Sequence, residues 1–134
     1  MTLFEVLLVV FIVSVIILSG SFGWVALQTA FSLRSVGDEI RSQMQLGREL
    51  SRAGMNGADY QIRHTGNAVV LLSDGVEIRR YLLPSNVSLT PLLFNWSFSP
   101  ITGDIVGCSL PCVIGVTMRG TSESIIIRAN GIVD

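Results

Sequence analysis

Residues 1–33 read MTLFEVLLVVFIVSVIILSGSFGWVALQTAFSL, and this stretch decides the fold. It carries one charged side chain, Glu5, and no Lys, Arg, Asp or His. Between Val6 and Leu18 only Ser14 is not strongly apolar. A helix rises about 1.5 Å per residue, so some 20 such residues match the roughly 30 Å hydrocarbon layer of a bilayer. We therefore expect a membrane-length helix, with residues 4–23 as the span. Glu5 is the exception. An unpaired carboxylate in a bilayer costs on the order of 2.5–3.5 kcal/mol or more. No basic side chain lies near it in sequence. The nearest positive charge is the N-terminal amine of the same chain, or that of another copy.

The flanks argue against two ordinary explanations. A cleaved signal peptide has a basic start, a shorter apolar core and a small-residue cleavage site. Here no basic residue precedes the core, and the apolar run continues into an amphipathic stretch. A plain anchor is awkward too. The first cation after the run is Arg34, which by the positive-inside rule would put the remainder of the chain in the cytoplasm. A basic leader removed ahead of Met1 resolves the conflict and leaves the folded part facing outward.

The residues Met1-Thr2-Leu3-Phe4-Glu5, followed by the unbroken apolar run, resemble the mature N-terminus of type IV pilins and type II secretion pseudopilins. The resemblance covers the first ~25 residues tightly. Met1 stands where phenylalanine is more usual, and Phe22 where many pilins carry proline. The family implies recognition of residues Met1 to Glu5 by a prepilin peptidase and N-methylation of Met1. It implies a salt bridge between Glu5 and the Met1 amine, in the same or an adjacent subunit. It also implies residence in the inner membrane before assembly by pilus machinery. The end state is an extracellular helical filament of identical subunits. In many pilins a segment near Ser19-Gly20-Ser21-Phe22-Gly23 unwinds on assembly. Close helix–helix approach through small residues is the alternative use of that cluster.

The chain has 134 residues, and the ~100 beyond the apolar segment suffice for one small domain. Three parts are expected: a hydrophobic helix over residues 1–24, an amphipathic helix over 25–54 and an antiparallel β domain over 55–134. Leu33, Val36, Ile40, Met44, Gly47 and Leu50 recur at steps of three and four, the stripe of a helix packed on a core. Arg34–Asp38 and Asp38–Arg41 have the spacing of helix ion pairs, and Arg34, Arg41 and Arg48 share a face. A helix of ~50 residues spans roughly 75 Å, whereas a 100-residue globule is about 26 Å across. The apolar end must then be covered by lipid or by other copies.

Gly54 and Asn56-Gly57 suit a helix cap and a turn. Beyond them the period becomes two. Strands are expected over Asp59–Thr65, Ala68–Ser73, Val76–Leu83 and Asn95–Phe98. A closing hairpin of Val113–Arg119 and Ser124–Ala129 turns at Gly120-Thr121, with a last short strand at Gly131-Ile132-Val133. The fold class is α+β: one long N-terminal helix, then an antiparallel sheet domain. A three-strand meander, a variable middle and a closing Arg-Gly-Thr hairpin resemble, more distantly, the H-type pseudopilins and T-type minor pilins.

Chemistry-bearing residues are sparse. Cys108 and Cys112 enclose a short loop, and an extracytoplasmic chain with an even cysteine count makes a disulfide the default. The single histidine, His64, has no partners for a metal or catalytic site, and neither a Gly-x-Ser-x-Gly elbow nor a phosphate loop is present. We expect no enzyme, no metal and no cofactor. Asn86-Val87-Ser88 and Asn95-Trp96-Ser97 match the N-glycan acceptor pattern. Arg63, Arg79, Arg80, Arg119 and Arg128 are candidate DNA contacts, because T-type minor pilins of competence systems bind DNA. Against this, the net charge is −1, and Arg63 and Arg79 have acids nearby in sequence, Asp59 and Glu77. A filament subunit is the expected function. The alternatives are a DNA- or surface-binding minor pilin at the tip and a secretion pseudopilin.

Overall fold

The computed structural model describes residues 2–54 and 57–128, with the backbone alone at 20–22. One helix, α1 (Leu3–Arg52), runs 50 residues. Its start follows from Thr2 and Glu5. The Glu5 and Val6 amides donate to the Thr2 carbonyl, and the Glu5 carboxylate reaches back to the Thr2 amide at 3.2 Å. That is the reciprocal arm of a capping box, which satisfies a backbone donor the helix itself leaves unpaired. At the other end Gly54 adopts φ 59°, the left-handed cap expected there.

Two compact units divide the chain, residues 1–32 and 33–134. The first is helix alone. Among the described residues, the second combines the last five turns of α1 with eight strands: β1 (Tyr60–His64), β2 (Ala68–Ser73), β3 (Val76–Leu82), β4 (Val87–Thr90), β5 (Asn95–Phe98), β6 (Ile105–Val106), β7 (Cys112–Met118) and β8 (Thr121–Ile127). The strands form two antiparallel sheets, ordered β3-β2-β1-β5-β6 and β4-β7-β8. The α+β class is thus as read from the sequence.

Several element boundaries differ from the sequence expectation. The strand β4 lies in a stretch where none was assigned, although Val87, Ser88, Leu89 and Thr90 alternate cleanly. Its partner is β7, and the first register pair, Val87 with Met118, spans 31 residues, so no local turn announces it. The two-residue β6 sits in the turn-rich segment after Pro100. The last hairpin turns at Arg119-Gly120, both with positive φ, so β8 starts at Thr121 rather than Ser124. The expected strand at Gly131-Ile132-Val133 and part of the Asn56-Gly57 turn lie outside the described residues.

Both sheets turn one face to a shared core. Tyr60, Ile62, Val69, Leu71, Trp96 and Phe98 come from the first sheet, and Leu89, Ile114, Val116, Ile125 and Ile127 from the second. The helix contributes Leu33, Val36, Ile40 and Met44, the stripe expected from the spacing. Gly47 belongs to this stripe for a steric reason. A Cβ there would stand 2.6 Å from Phe98 Cε2 and 2.9 Å from Leu71 Cδ1. The missing side chain is what lets the helix lie this close to the sheet.

Candidate functional site

The apolar end of α1 is the first candidate. From Leu3 to Leu18 every large apolar side chain is exposed in the isolated subunit, on all faces of the helix. The helix is long and apolar enough to cross a membrane. Two of its hydroxyls are satisfied within the helix: Ser14 Oγ donates to the Val10 carbonyl at 2.7 Å, and Ser19 Oγ to the Val15 carbonyl at 2.8 Å. A segment surrounded by hydrocarbon requires this, since no water is available there.

Glu5 stands in the first turn of this run, where a carboxylate also complements the helix dipole. Its observed partner is the Thr2 amide. Met1, the expected salt-bridge partner and methylation site, lies outside the described residues. The pattern Thr2-Leu3-Phe4-Glu5 is itself a capping-box signature, a local role for Glu5 legible in the spacing alone. Around Ser19, Gly20, Ser21, Phe22 and Gly23 the backbone is continuous helix in the subunit. An alanine Cβ at Gly23 would meet nothing within 4 Å.

The second candidate is the set of arginines, and the structure distributes them. Arg63 and Arg80 share the outer face of the five-stranded sheet, because both pair across Val70. Two strand spacings put them roughly 10 Å apart. Arg79 faces the other way and reaches Glu39 of α1 at 2.8 Å. Glu77, expected beside Arg79, instead holds Arg80 through two hydrogen bonds of 2.6 and 2.8 Å. A β-bulge explains the exchange. Leu71 pairs with Arg79 and Leu72 with Glu77, so Ile78 is an extra residue and the alternation inverts across it. This pairing lowers the Glu77 pKa and raises that of Arg80. Arg119 lies in the β7–β8 turn, and Arg128 follows β8.

The helix arginines also divide. Arg41 bridges Asp38 at 3.0 Å and Glu123 of β8 at 2.9 Å. Asp38 therefore takes its i+3 partner, as one of the two expected spacings had it. Glu123 lies over Gly37, where a Cβ would meet its Oε1 at 3.3 Å. The bare helix surface at Gly37 makes room for this tie between α1 and the outer strand of the smaller sheet.

Cys108 and Cys112 form a disulfide with their Cα atoms 5.9 Å apart. It ties the loop after β6 to the first residue of β7. Asn86 and Asn95 are both exposed, Asn86 just before β4 and Asn95 beside Arg63 on the outer sheet face.

Two buried polar side chains were not anticipated. His64 is buried, stacked on Phe94 at 5.7 Å, and neither ring nitrogen has a hydrogen-bond partner among the described residues. Phe94 stacks in turn on Trp96 at 4.6 Å. Gln43 of α1 is fully buried, and neither amide atom has a hydrogen-bond partner among the described residues. The alternation Tyr60-Ile62-His64 signalled the burial of His64. Nothing in the sequence signalled that of Gln43.

No protein-family model, no curated protein and no solved structure matches this chain.

Proposed function

We propose that this chain is a structural subunit of a type IV pilus-like filament. It is held in the inner membrane by residues 4–23 and is then stacked with other copies through the same helix. The observation that carries the proposal is the uncovered apolar half of α1. Fourteen large apolar side chains between Leu3 and Leu18 are between 46% and 82% exposed in the isolated subunit. Burying a side chain of this size is worth about 1.5–3 kcal/mol, so on the order of 20 kcal/mol favours lipid or other copies over water. An α+β subunit with such a helix, and with Glu5 near its start, has the layout of the pilins that Met1–Glu5 resembles.

In this function the β domains lie outside a shared core of helices, and the Glu5 carboxylate accepts the Met1 amine of its own or an adjacent subunit. Paired in a medium of low dielectric, the two charges offset each other's desolvation and disfavour other registers. The Thr2 amide bond leaves the second Glu5 oxygen to be used in this way.

The test is Glu5→Ala in the intact chain. Membrane insertion is expected to persist, because the substitution removes a charge from the span. Surface filaments, counted by electron microscopy after shearing, are expected to be lost. Filaments of normal number from that variant would refute the pairing. If the chain is instead a scarce component of fibres made of another protein, it is a minor subunit, and the fibre-core role falls.

A further inference from the structure

Trp24, Leu27 and Phe31 recur at steps of three and four along α1 and so lie on one helix face. All are exposed, Trp24 by 74% and Phe31 by 67%. With Gln28 and Ser32 they line one shallow concavity in the first unit. The packing stripe begins only at Leu33, so these side chains take no part in the core.

Their place along the helix identifies what covers them. Residues 4–23 make about 30 Å of helix, the thickness of the hydrocarbon layer. Trp24 is the next residue. An indole has a large apolar body and an N–H that needs a polar partner, and tryptophan concentrates where hydrocarbon meets headgroups. From Trp24 to Phe31 is about 10 Å of helix, so Trp24 and Leu27 lie within the roughly 5–8 Å of one headgroup layer and Phe31 at its outer edge. The Thr29 hydroxyl, in the middle of this stretch, donates to the Val25 carbonyl at 2.9 Å. The first cation, Arg34, follows about 15 Å beyond Trp24, on the water side of the headgroup region. A face built to receive another helix is instead enriched in small residues. Large aromatic side chains at i and i+7 fit a lipid interface better.

We propose that Trp24, Leu27 and Phe31 form a membrane-interface anchor. They seat in the headgroup region and fix the depth of the span before the subunit is assembled. The proposal rests on the membrane stage of the function given above and is independent of polymerisation.

The test uses the full chain in phosphatidylethanolamine–phosphatidylglycerol vesicles whose acyl chains carry bromine either near the headgroup or near the chain end. The chain has two tryptophans, and Trp96 is buried in the β domain. The difference between wild type and Trp24→Phe therefore isolates Trp24. Stronger quenching by shallow than by deep bromine is expected, together with its loss in Trp24→Phe. Three results would overturn the anchor. These are stronger quenching by the deep label, quenching that survives Trp24→Phe, and no quenching in chains that float with the vesicles, which would place Trp24 against another copy. A chain that does not float at all removes the anchor and the membrane stage together. Filament loss in Glu5→Ala is read separately, so the two proposals fail distinguishably.

Discussion

Leu18 and Leu33 are leucines of the same helix, one 62% exposed and the other 4%. The two halves of α1 share a backbone geometry and differ in where their apolar side chains point. In residues 3–18 they occupy every face, a pattern that no single sheet could cover. In residues 33–52 they form one stripe, and two sheets cover it. Amphipathicity therefore marks the half whose burial is completed within the subunit. Uniform apolarity marks the half whose burial depends on surroundings. The same substitution should consequently have opposite readouts in the two halves.

The largest contrast is expected from a buried charge. Ile40 is fully enclosed by the core, and Ile40→Asp should cost roughly 4–5 kcal/mol, enough to unfold the domain. Ile12→Asp should leave the thermal transition of the β domain unchanged and weaken membrane partitioning by about 2.5–3.5 kcal/mol, read as reduced flotation at limiting lipid. Circular dichroism melting and vesicle flotation of the two full-length variants check the pair. A β domain destabilised by Ile12→Asp would break the division between the halves.

Glycine gives a finer contrast. Alanine at Gly47 places a methyl group against Phe98 and Leu71, and we expect Gly47→Ala to cost about 1–3 kcal/mol through overpacking. At Gly23 the surrounding space is open, so Gly23→Ala should stabilise the helix by roughly 1 kcal/mol. Chemical denaturation reads the first, and helicity of the full chain in detergent micelles the second. If filament assembly requires the helix to unwind around Ser19–Gly23, Gly23→Ala should also reduce filament number without affecting insertion.

Much of this contrast was legible before the structure. The stripe from Leu33 to Gly47 and the uniform run from Val6 to Leu18 are periodicities, and periodicity survives without tertiary information. The disulfide followed from cysteine count and context. What was hidden depends on long-range pairing. The strand β4 is short and pairs with β7 far along the chain, and the bulge at Ile78 is visible only against β2. That bulge moved Glu77 from Arg79 to Arg80, so nearness in sequence named the wrong ion pair. The capping role of Glu5 is the opposite case. Thr2 and Glu5 stand at capping-box spacing, but the unusual charge in an apolar run drew attention to distant partners instead.

Gln43 sharpens the comparison further, because it is a polar residue inside the packed half. An unpartnered buried amide costs about 1–3 kcal/mol. Gln43→Met keeps the length of the side chain and removes both orphaned atoms. We expect a gain of about 1–2 kcal/mol by denaturation. A loss instead would show that a hydrogen-bonded water or partner occupies the site in solution.

The smallest effects are pH dependences, and they read the β domain against which the packed half of α1 lies. Burial, with Glu39 nearby, raises the Tyr81 pKa. The fold then holds that proton more tightly than the unfolded chain does. Its contribution is fully present below the ordinary tyrosine pKa of about 10 and is lost as pH rises through the raised value. For Glu77 the sign reverses. The hydrogen bonds from Arg80 lower its pKa, so its contribution is present above the ordinary carboxylate range and fades as pH falls through the lowered value. Tyr81→Phe should flatten the alkaline limb of the stability profile, and Glu77→Gln the acid limb. The Glu77 effect should be the weaker and should shrink with added salt, because that pair is solvent-exposed and screened. Membrane flotation should be unchanged in both variants, since neither residue belongs to the half of α1 that needs outside cover.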